Sequence, residues 1–353
     1  MSKRVLVMAG GTGGHVFPAL AIVKELKARG HEVQWLGTRG RIEEQVVPKE
    51  GIILHYIDVK GVRRNGLMSL IKAPFMVMHA ISQAKKVIAE FKPDVVIGFG
   101  GYASGPGGMA AYLSGIPVIL HEQNAAAGLT NRILSKVARK ILLGVGEAFS
   151  GPKVEVVGNP VRAPILALHE QERSFVHADK KTHILIVGGS LGAKALNEQV
   201  PLALKHFKRD DISVIHQCGK GNSQKTAALY AGAEFDYQTS DFIEDMAKAY
   251  STADLVICRA GASTVSELSA AKLPAIFVPL PTAVDDHQTK NALSLVKVNG
   301  AKLLAQSELN ENSLYKLVAS IKDSDTLQAM SQACAQEAKI NATTRVCQII
   351  EEL

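Results

Sequence analysis

Aromatic residues make up only 5% of this chain, although 47% of it is hydrophobic. A core poor in rings and rich in Ala, Val, Ile and Leu suits an α/β protein better than a β-sandwich. Cysteine is scarce as well. Cys218, Cys258, Cys334 and Cys347 are widely spaced, with no C-x-x-C pair and no metal-type cluster, which fits a reduced, cytoplasmic setting. No apolar run reaches the ~18 residues that a spanning helix needs. Only Val5 to Ala9 separate the basic start from the first glycines, too few for the apolar region of a signal peptide. Low-complexity tracts and short repeats are missing. There is also no arginine-rich arm, aromatic-studded basic strand or recognition-helix pattern, so nucleic acid is not expected as a partner.

What is present begins with length: 353 residues leave room for two domains, each with a full core. The net charge of +7 is unevenly divided. Residues 1–161 hold 20 Lys and Arg against 11 Asp and Glu, a net +9, and residues 162–353 hold 20 against 22, a net −2. The first half therefore prefers anionic surroundings, with an anionic membrane surface the better match.

The chain is organised around AGGTGGH at 9–15. Residues 4–8 before it read as a short buried strand. Residues 18–26 after it read as a helix, with Pro18 in an early turn. Four glycines there allow positive φ and a close approach of backbone amides to a ligand. The helix N-terminus adds unsatisfied donors and partial positive charge, suited to a phosphate. His15 is the one titratable side chain delivered to that point. GGSLGA at 188–193, between a strand at 182–187 and a helix opening near Lys194, repeats the arrangement. Neither turn fits G-x-G-x-x-G with a well-placed acidic residue ~20 positions later. Two such turns, each heading one half, support two facing nucleotide-type domains.

Strand signals at 32–37, 94–98, 117–120 and 140–143 alternate with helical stretches, and those at 213–216, 255–258 and 275–279 continue the rhythm. This predicts parallel sheets with crossover helices. A joint falls at VGNPVR, 157–162, and the helical tail from Thr326 has Asn341 as a break. A second glycine turn at 98–108 follows the strand at 94–97. In a doubly wound sheet it opens onto the same crevice as the first, and it reads equally as an anion-binding turn or as a packing loop.

Several segments offer chemistry, each with a plainer reading. RAGASTVSE at 259–267 reads either as a phosphate or sugar turn, with Glu267 accepting from a diol, or as a helix cap using Ser263 or Thr264. The capping reading is favoured by the residues alone. DDHQTKN at 285–291 is a polar cluster or a plain helix start, and DFIED at 241–245 looks like a loop entering a helix. His121 and Glu122 invite a metal reading, but neighbours on a strand face opposite ways and no third ligand is evident. The D-x-D at 323–325 reads as a turn. Residues 61–76 combine basic residues with large apolar ones that Pro74 keeps from forming one straight helix. With Lys85 and Lys86 beyond, they read equally as core or as an interfacial surface.

In order and spacing these motifs resemble, over essentially the whole chain, the MurG family of bacterial glycosyltransferases, glycosyltransferase family 28. The matching stretches are GGTGGHVFPALA at 10–21, GFGGYASGPGG at 98–108, HEQNAAAGLTN at 121–131 and VGNPVR at 157–162. They continue with GGSLGA at 188–193, RAGASTVSE at 259–267 and DDHQTKNA at 285–292. The resemblance implies an α/β protein of GT-B architecture: two Rossmann-like, doubly wound parallel-sheet domains facing across a cleft. Residues 1–161 would form the acceptor and membrane-side domain, and 162–337 the UDP-GlcNAc donor domain. A C-terminal helix at about 338–353 would pack back on the first domain.

The implied reaction is inverting transfer of GlcNAc from UDP-GlcNAc to the MurNAc C4 hydroxyl of lipid I, undecaprenyl-diphospho-MurNAc-pentapeptide. The product is lipid II for peptidoglycan. His15 is the preferred catalytic base, with a structural or phosphate-binding role as its alternative. For the donor, the resemblance implies Ile243 at uracil, Glu267 at the ribose, and Ser190 with Ala262, Ser263, Thr264, Val265 and Ser266 facing phosphate and sugar. Gln288 and Asn291 would read the GlcNAc hydroxyls, with Thr12, Gly13, Gly14, Asn124 and Arg162 completing the site. Gly11, Gly100, Gly101, Tyr102, Ser104 and Gly105 would meet the acceptor diphosphate. Leu191 replaces the Gln that some relatives carry in GGS-x-GA, a change that a backbone-driven phosphate turn tolerates. No metal and no cofactor is expected. The implied partners are the two substrates, an anionic inner-membrane surface touched through 61–78, and cell-wall or division machinery. The protein would sit peripherally on the cytoplasmic face of the bacterial inner membrane. A UDP-GlcNAc 2-epimerase-like enzyme and a catalytically silent membrane-associated nucleotide-sugar sensor are the alternatives.

Overall fold

The computed structural model describes residues 2–59, 67–189 and 191–353, excepting the side chains of 67–73. The basic apolar segment at 61–66 and Ser190 lie outside the described residues. Apolar β-branched runs form the strands, and most are buried on both faces, as parallel strands covered by helices must be. The chain divides into two units, Met1–Arg162 with Asn341–Leu353, and Ala163–Ile340.

In unit 1 the strands are β1 (Arg4–Met8), β2 (Glu32–Gly37), β3 (Ile53–Tyr56), β4 (Val95–Gly98), β5 (Val118–Glu122), β6 (Lys140–Leu143) and β7 (Val154–Val156). They form one parallel sheet in the order β3-β2-β1-β4-β5-β6-β7. The order reverses at β1, which pairs Val5 with Val33 on one side and with Val95 on the other. The loops leaving β1 and β4 therefore emerge side by side at the carboxyl edge, where a ligand is expected. Helices Leu67–Phe91 and Ser104–Leu113 cover one face through Ala80, Ala84, Ile88, Ala110 and Ala111. Helix Gly13–Ala28 covers the other together with the C-terminal helix Ala342–Glu352, which buries Val346, Cys347, Ile349 and Ile350.

Unit 2 holds β8 (Thr182–Val187), β9 (Ile212–Gln217), β10 (Asp236–Ser240), β11 (Leu255–Cys258), β12 (Ala275–Phe277) and β13 (Ala301–Leu303). This second parallel sheet runs β10-β9-β8-β11-β12-β13, with its own reversal at β8. Its core includes Ile184, Ile186, Leu196, Val200, Tyr230, Leu255 and Ile257. The fold is the doubly wound α/β class expected.

Three local expectations change. β5 continues through His121 and Glu122, because both side chains find partners while buried. Helix Leu67–Phe91 continues through Pro74. Proline forfeits one backbone hydrogen bond, a loss of ~3 kcal/mol that packing of the later turns on the sheet can offset. Asp323 is a helix cap, not a free turn: its side chain accepts from Thr326 N at 2.9 Å and opens helix Ser324–Glu337.

Candidate functional site

In unit 1, two glycine turns lie against each other at the reversal of the sheet. Gly11 has φ +93° and Gly101 φ +83°, and a Cβ on Gly101 would collide with the Gly10 carbonyl. Only glycine satisfies both conditions. Ser104 fastens the turns from beneath, its buried hydroxyl lying 2.9 Å from Met8 O and 2.7 Å from Gly100 O. Ser104 therefore has no hydroxyl to offer an acceptor diphosphate and contributes at most its backbone.

Glu43 has a comparable part, which the sequence did not reveal. Its fully buried carboxylate accepts from Gly11 N (3.0 Å), Thr38 N (3.1 Å) and Thr38 Oγ (2.8 Å). The Gly11 amide is thus committed inward, and the outward donors of this turn are those of Gly13 and Gly14, the first residues of the helix. Nothing in RIEEQ distinguishes Glu43 from Glu44; only the fold buries one fully and leaves the other half-buried.

His15 is half-buried on the first turn of that helix. Its Nδ1 lies 3.2 Å from Gly10 O and 3.5 Å from Thr12 Oγ1. A carbonyl only accepts, so the bond to Gly10 puts a proton on Nδ1 and makes Nε2 the acceptor nitrogen of the neutral ring. Nε2 faces Gly100, where a Cβ would stand 3.1 Å from it; Gly100 has φ +97°. Tyr102 is exposed beneath Arg41, whose guanidinium lies 5.7 Å from the ring centroid, and Gly105 is half-buried in helix Ser104–Leu113. Arg162 lies over the exposed Phe17 ring at 5.7 Å.

Asn124 is held by Glu122, whose Oε1 accepts from Asn124 N (3.1 Å) and Nδ2 (3.2 Å). Its Oε2 accepts from Gly128 N (3.3 Å) and Asn131 Nδ2 (2.9 Å). His121 Nε2 donates to Gly158 O at 3.0 Å and Nδ1 accepts from Gln123 Nε2 at 3.1 Å. Burial pushes the His121 pKa down to about 4, so the ring is neutral at physiological pH. Both side chains of the adjacent pair are thus engaged by protein groups.

In unit 2, Gln217 joins two ligand loops. Its Oε1 accepts from Gly189 N at 2.9 Å, and its Nε2 lies 3.0 Å from Gly189 O and 2.8 Å from Asp241 O. The GGSLGA turn is thereby tied to the 241–245 loop that carries Ile243. Helix Ala262–Ala270 opens on Gly261, not on Ser263 or Thr264, and has no side-chain cap. The capping reading of this segment is therefore not realised. Ala262 and Val265 are buried, Thr264 and Ser266 half-buried, and Ser263 Oγ is buried without a hydrogen-bond partner among the described residues. A ligand oxygen would satisfy it. Half-buried Glu267 accepts from Tyr250 Oη at 3.3 Å.

Gln288 Oε1 accepts from Leu280 N at 2.9 Å, which directs its amide nitrogen away from that bond. Asn291 is fully buried and donates to Ala260 O at 3.2 Å, so it joins helix His287–Val296 to the β11 loop. Asp285 and Asp286 both adopt left-handed backbone, φ +55° and +52°, a strained pair of the kind found at ligand loops.

Two Rossmann-like units with glycine turns at the carboxyl ends of their strands are the architecture of the GT-B class. The sequence comparisons narrow this class. Residues 5–143 match the glycosyltransferase family 28 N-terminal domain and residues 183–346 the family 28 C-terminal domain. The chain belongs to glycosyltransferase family 28. A relative from Aeromonas hydrophila subsp. hydrophila is 52% identical over 98% of this chain and 96% of its own length. It is named UDP-N-acetylglucosamine--N-acetylmuramyl-(pentapeptide) pyrophosphoryl-undecaprenol N-acetylglucosamine transferase. The crystal structure of Acinetobacter baumannii MurG superposes with a TM-score of 0.86 at 44% identity, covering 99% of this chain and 100% of that one. A UDP-N-acetylglucosamine 2-epimerase shares the fold alone, with a TM-score of 0.66 at 16% identity over 98% and 95% of the two chains.

Proposed function

We infer that this chain transfers N-acetylglucosamine from UDP-N-acetylglucosamine to the MurNAc C4 hydroxyl of lipid I, giving lipid II for peptidoglycan. The observation that carries the reading is 52% identity, over nearly all of both chains, to a relative named for that transfer. The epimerase alternative has a shared fold and no more in its favour.

The chemistry follows from the groups described. His15 Nε2 takes the C4 hydroxyl proton, the C4 oxygen attacks the anomeric carbon, and the bond to UDP breaks with its electron pair leaving on the diphosphate. The Nδ1 bond to Gly10 O supports this role, because it orients the ring and makes Nε2 the basic nitrogen. Amides of Gly13 and Gly14 would complete the donor site with Thr12, Asn124 and Arg162, and Gly100, Gly101, Tyr102 and Gly105 would meet the acceptor diphosphate. Glu267 would take the ribose hydroxyls, Ile243 the uracil, Ser263 and the Ser190 turn the phosphate, and Gln288 the GlcNAc. Helix N-termini and glycine-turn amides stabilise leaving-group charge without reorganising.

A peripheral association with the cytoplasmic face of an anionic inner membrane completes the reading. No helix among the described residues is long and apolar enough to cross a membrane. Phe75 and Met78 are 76% and 69% exposed on helix Leu67–Phe91, and Tyr112, Leu113, Leu129 and Ile133 are exposed on the next two helices, each packed on the one before it. Lys85, Lys86 and Arg132 lie along these same helices. Cell-wall or division machinery would be engaged from that position.

The test is to incubate the purified protein with labelled UDP-GlcNAc, with and without lipid I. Label appearing in lipid only when lipid I is present supports the transfer. Conversion of UDP-GlcNAc to its epimer, or no chemistry, rejects it.

A further inference from the structure

Three side chains from separate segments converge at the amino edge of the unit 2 sheet. His183 is the second residue of β8, Asp254 immediately precedes β11, and His177 lies on the segment leading into β8. The backbone fixes Asp254, which is buried. Its N–H donates to His183 O at 2.7 Å, and its Oδ2 accepts from His183 N at 2.8 Å. Its carboxylate oxygens lie 2.8 and 3.0 Å from His177 Nε2. The two imidazoles meet edge to face with centroids 4.6 Å apart. One donor atom from each of the three residues lies within 4.8 Å of the others. A cavity of about 330 Å³ opens on them, with Glu172, Arg173 and Thr252 also in its wall.

A bond between His177 and Asp254 explains two of these groups but not the second imidazole. His183 Nδ1 lies 2.6 Å from Ser213 Oγ. With the hydroxyl accepting, the proton sits on Nδ1 and the Nε2 lone pair is presented to a ligand, the support that metal-binding histidines usually have. Asp179 Oδ1 is 3.7 Å from His183 Nε2 and adds negative charge there, as Glu172 does. The one guanidinium in the wall, Arg173, is engaged by Ala253 O at 2.5 Å and Tyr250 O at 2.8 Å.

We propose that His177, His183 and Asp254 bind a divalent transition-metal ion of the zinc class, with water completing the coordination. Zinc takes nitrogen and oxygen donors at about 2.0–2.2 Å in a tetrahedron, which places neighbouring donors roughly 3.3–3.6 Å apart. The carboxylate and His177 are already near that spacing, and His183 offers a donor atom within 4.8 Å of both. Imidazole donors favour zinc, copper and nickel over magnesium or calcium. The ion displaces the proton on His177 Nε2, which moves to Nδ1 or to solvent. Bound there, it fastens the segment before β8 to the base of the sheet. β8 is six residues long and separates the cluster from the Gly188 turn by roughly 17 Å, so the ion takes no part in the transfer chemistry.

The experiment uses the full chain, untagged, stripped with a chelator and titrated with zinc chloride by calorimetry. One equivalent should bind to the wild type. His177→Gln, which keeps a hydrogen-bonding group beside Asp254, should weaken binding about 100-fold, and Ser213→Ala about 10-fold. Cobalt should give the visible bands of a four-coordinate site in the wild type alone, and zinc should raise the melting temperature of the wild type but not of His177→Gln. No zinc binding by the wild type, or equal binding by wild type and His177→Gln, overturns the proposal.

Discussion

His15 and Glu267 are assigned different parts of the transfer, and single substitutions separate them. Removing a general base typically costs 10²–10⁴-fold in rate. His15→Ala should therefore lose about that much turnover with a nearly unchanged UDP-GlcNAc dissociation constant, because the proposed donor contacts lie mainly on unit 2. A histidine that only binds phosphate would show its loss chiefly in affinity for substrate. Retention of most turnover at saturating acceptor would place the base elsewhere. Glu267→Ala should show the opposite pattern. A carboxylate accepting two ribose hydroxyls makes charge-assisted bonds of roughly 1.5–3 kcal/mol, so UDP should bind about 10- to 150-fold more weakly. Unchanged UDP affinity by calorimetry would reject the ribose role. Part of the loss would be indirect, since Tyr250 Oη donates to the same carboxylate.

The C-terminal helix Ala342–Glu352 shows how burial and charge divide the work of holding an element. Val346, Cys347, Ile349 and Ile350 enter the core of unit 1, and Ile350→Ala alone should cost about 2–5 kcal/mol. Arg345 reaches Glu155 at 2.6 and 3.1 Å, and Glu351 reaches His31 at 3.0 Å and Arg29 at 3.2 Å. The Arg345 side chain is 37% exposed and that of Glu155 33%, so solvent screening limits the pair to about 0.5–1 kcal/mol. The hydrogen bond from Arg345 holds the Glu155 pKa below its usual value. A carboxyl lowered in the folded state binds its proton more readily when unfolded. The contribution is therefore present above the ordinary carboxylate range, near 4.5, and is lost as pH falls through the lowered value. Arg345→Ala should lower the urea midpoint near neutrality, with the difference fading as pH falls below the ordinary carboxylate value near 4.5. A pH-independent difference would mean that Arg345 acts through packing.

For the molecule as a whole, the uneven charge and the exposed apolar side chains of unit 1 point to the same prediction. Net +9 on residues 1–161 and −2 on the rest makes only one half attractive to an anionic surface. Each basic residue near such a surface contributes about 1 kcal/mol, screened by salt. Sedimentation with vesicles containing anionic lipid should weaken with added salt, and weaken further when Lys85, Lys86 and Arg132 become Gln. Phe75→Ser with Met78→Ser should reduce binding at all salt concentrations, because the apolar share is not screened. Equal sedimentation with neutral and anionic vesicles, or by wild type and the Gln variant, would count against this surface.

The strand–turn–helix alternation, the two glycine turns heading two sheets and the family were all readable from residue order. Those signals are local: apolar runs of strand length, helical spacing, and glycines where the backbone must turn. The resemblance carried by those residues also supplied the candidate positions, from Thr12 to Asn291. Tertiary structure decided which of their atoms are already engaged by protein groups. The Gly11 amide and the Ser104 hydroxyl are used within the protein, and Asn291 is buried against Ala260. Residue order gave no sign of Glu43, 32 residues from the Gly11 amide it holds, or of Gln217, 28 residues from Gly189. A carboxylate or amide becomes a support only when folding buries it, because an unpaired polar group there costs roughly 1–3 kcal/mol and so must find partners. His177, His183 and Asp254 follow the same rule: no sequence spacing joins them, and the parallel register of β8 and β11 brings them together.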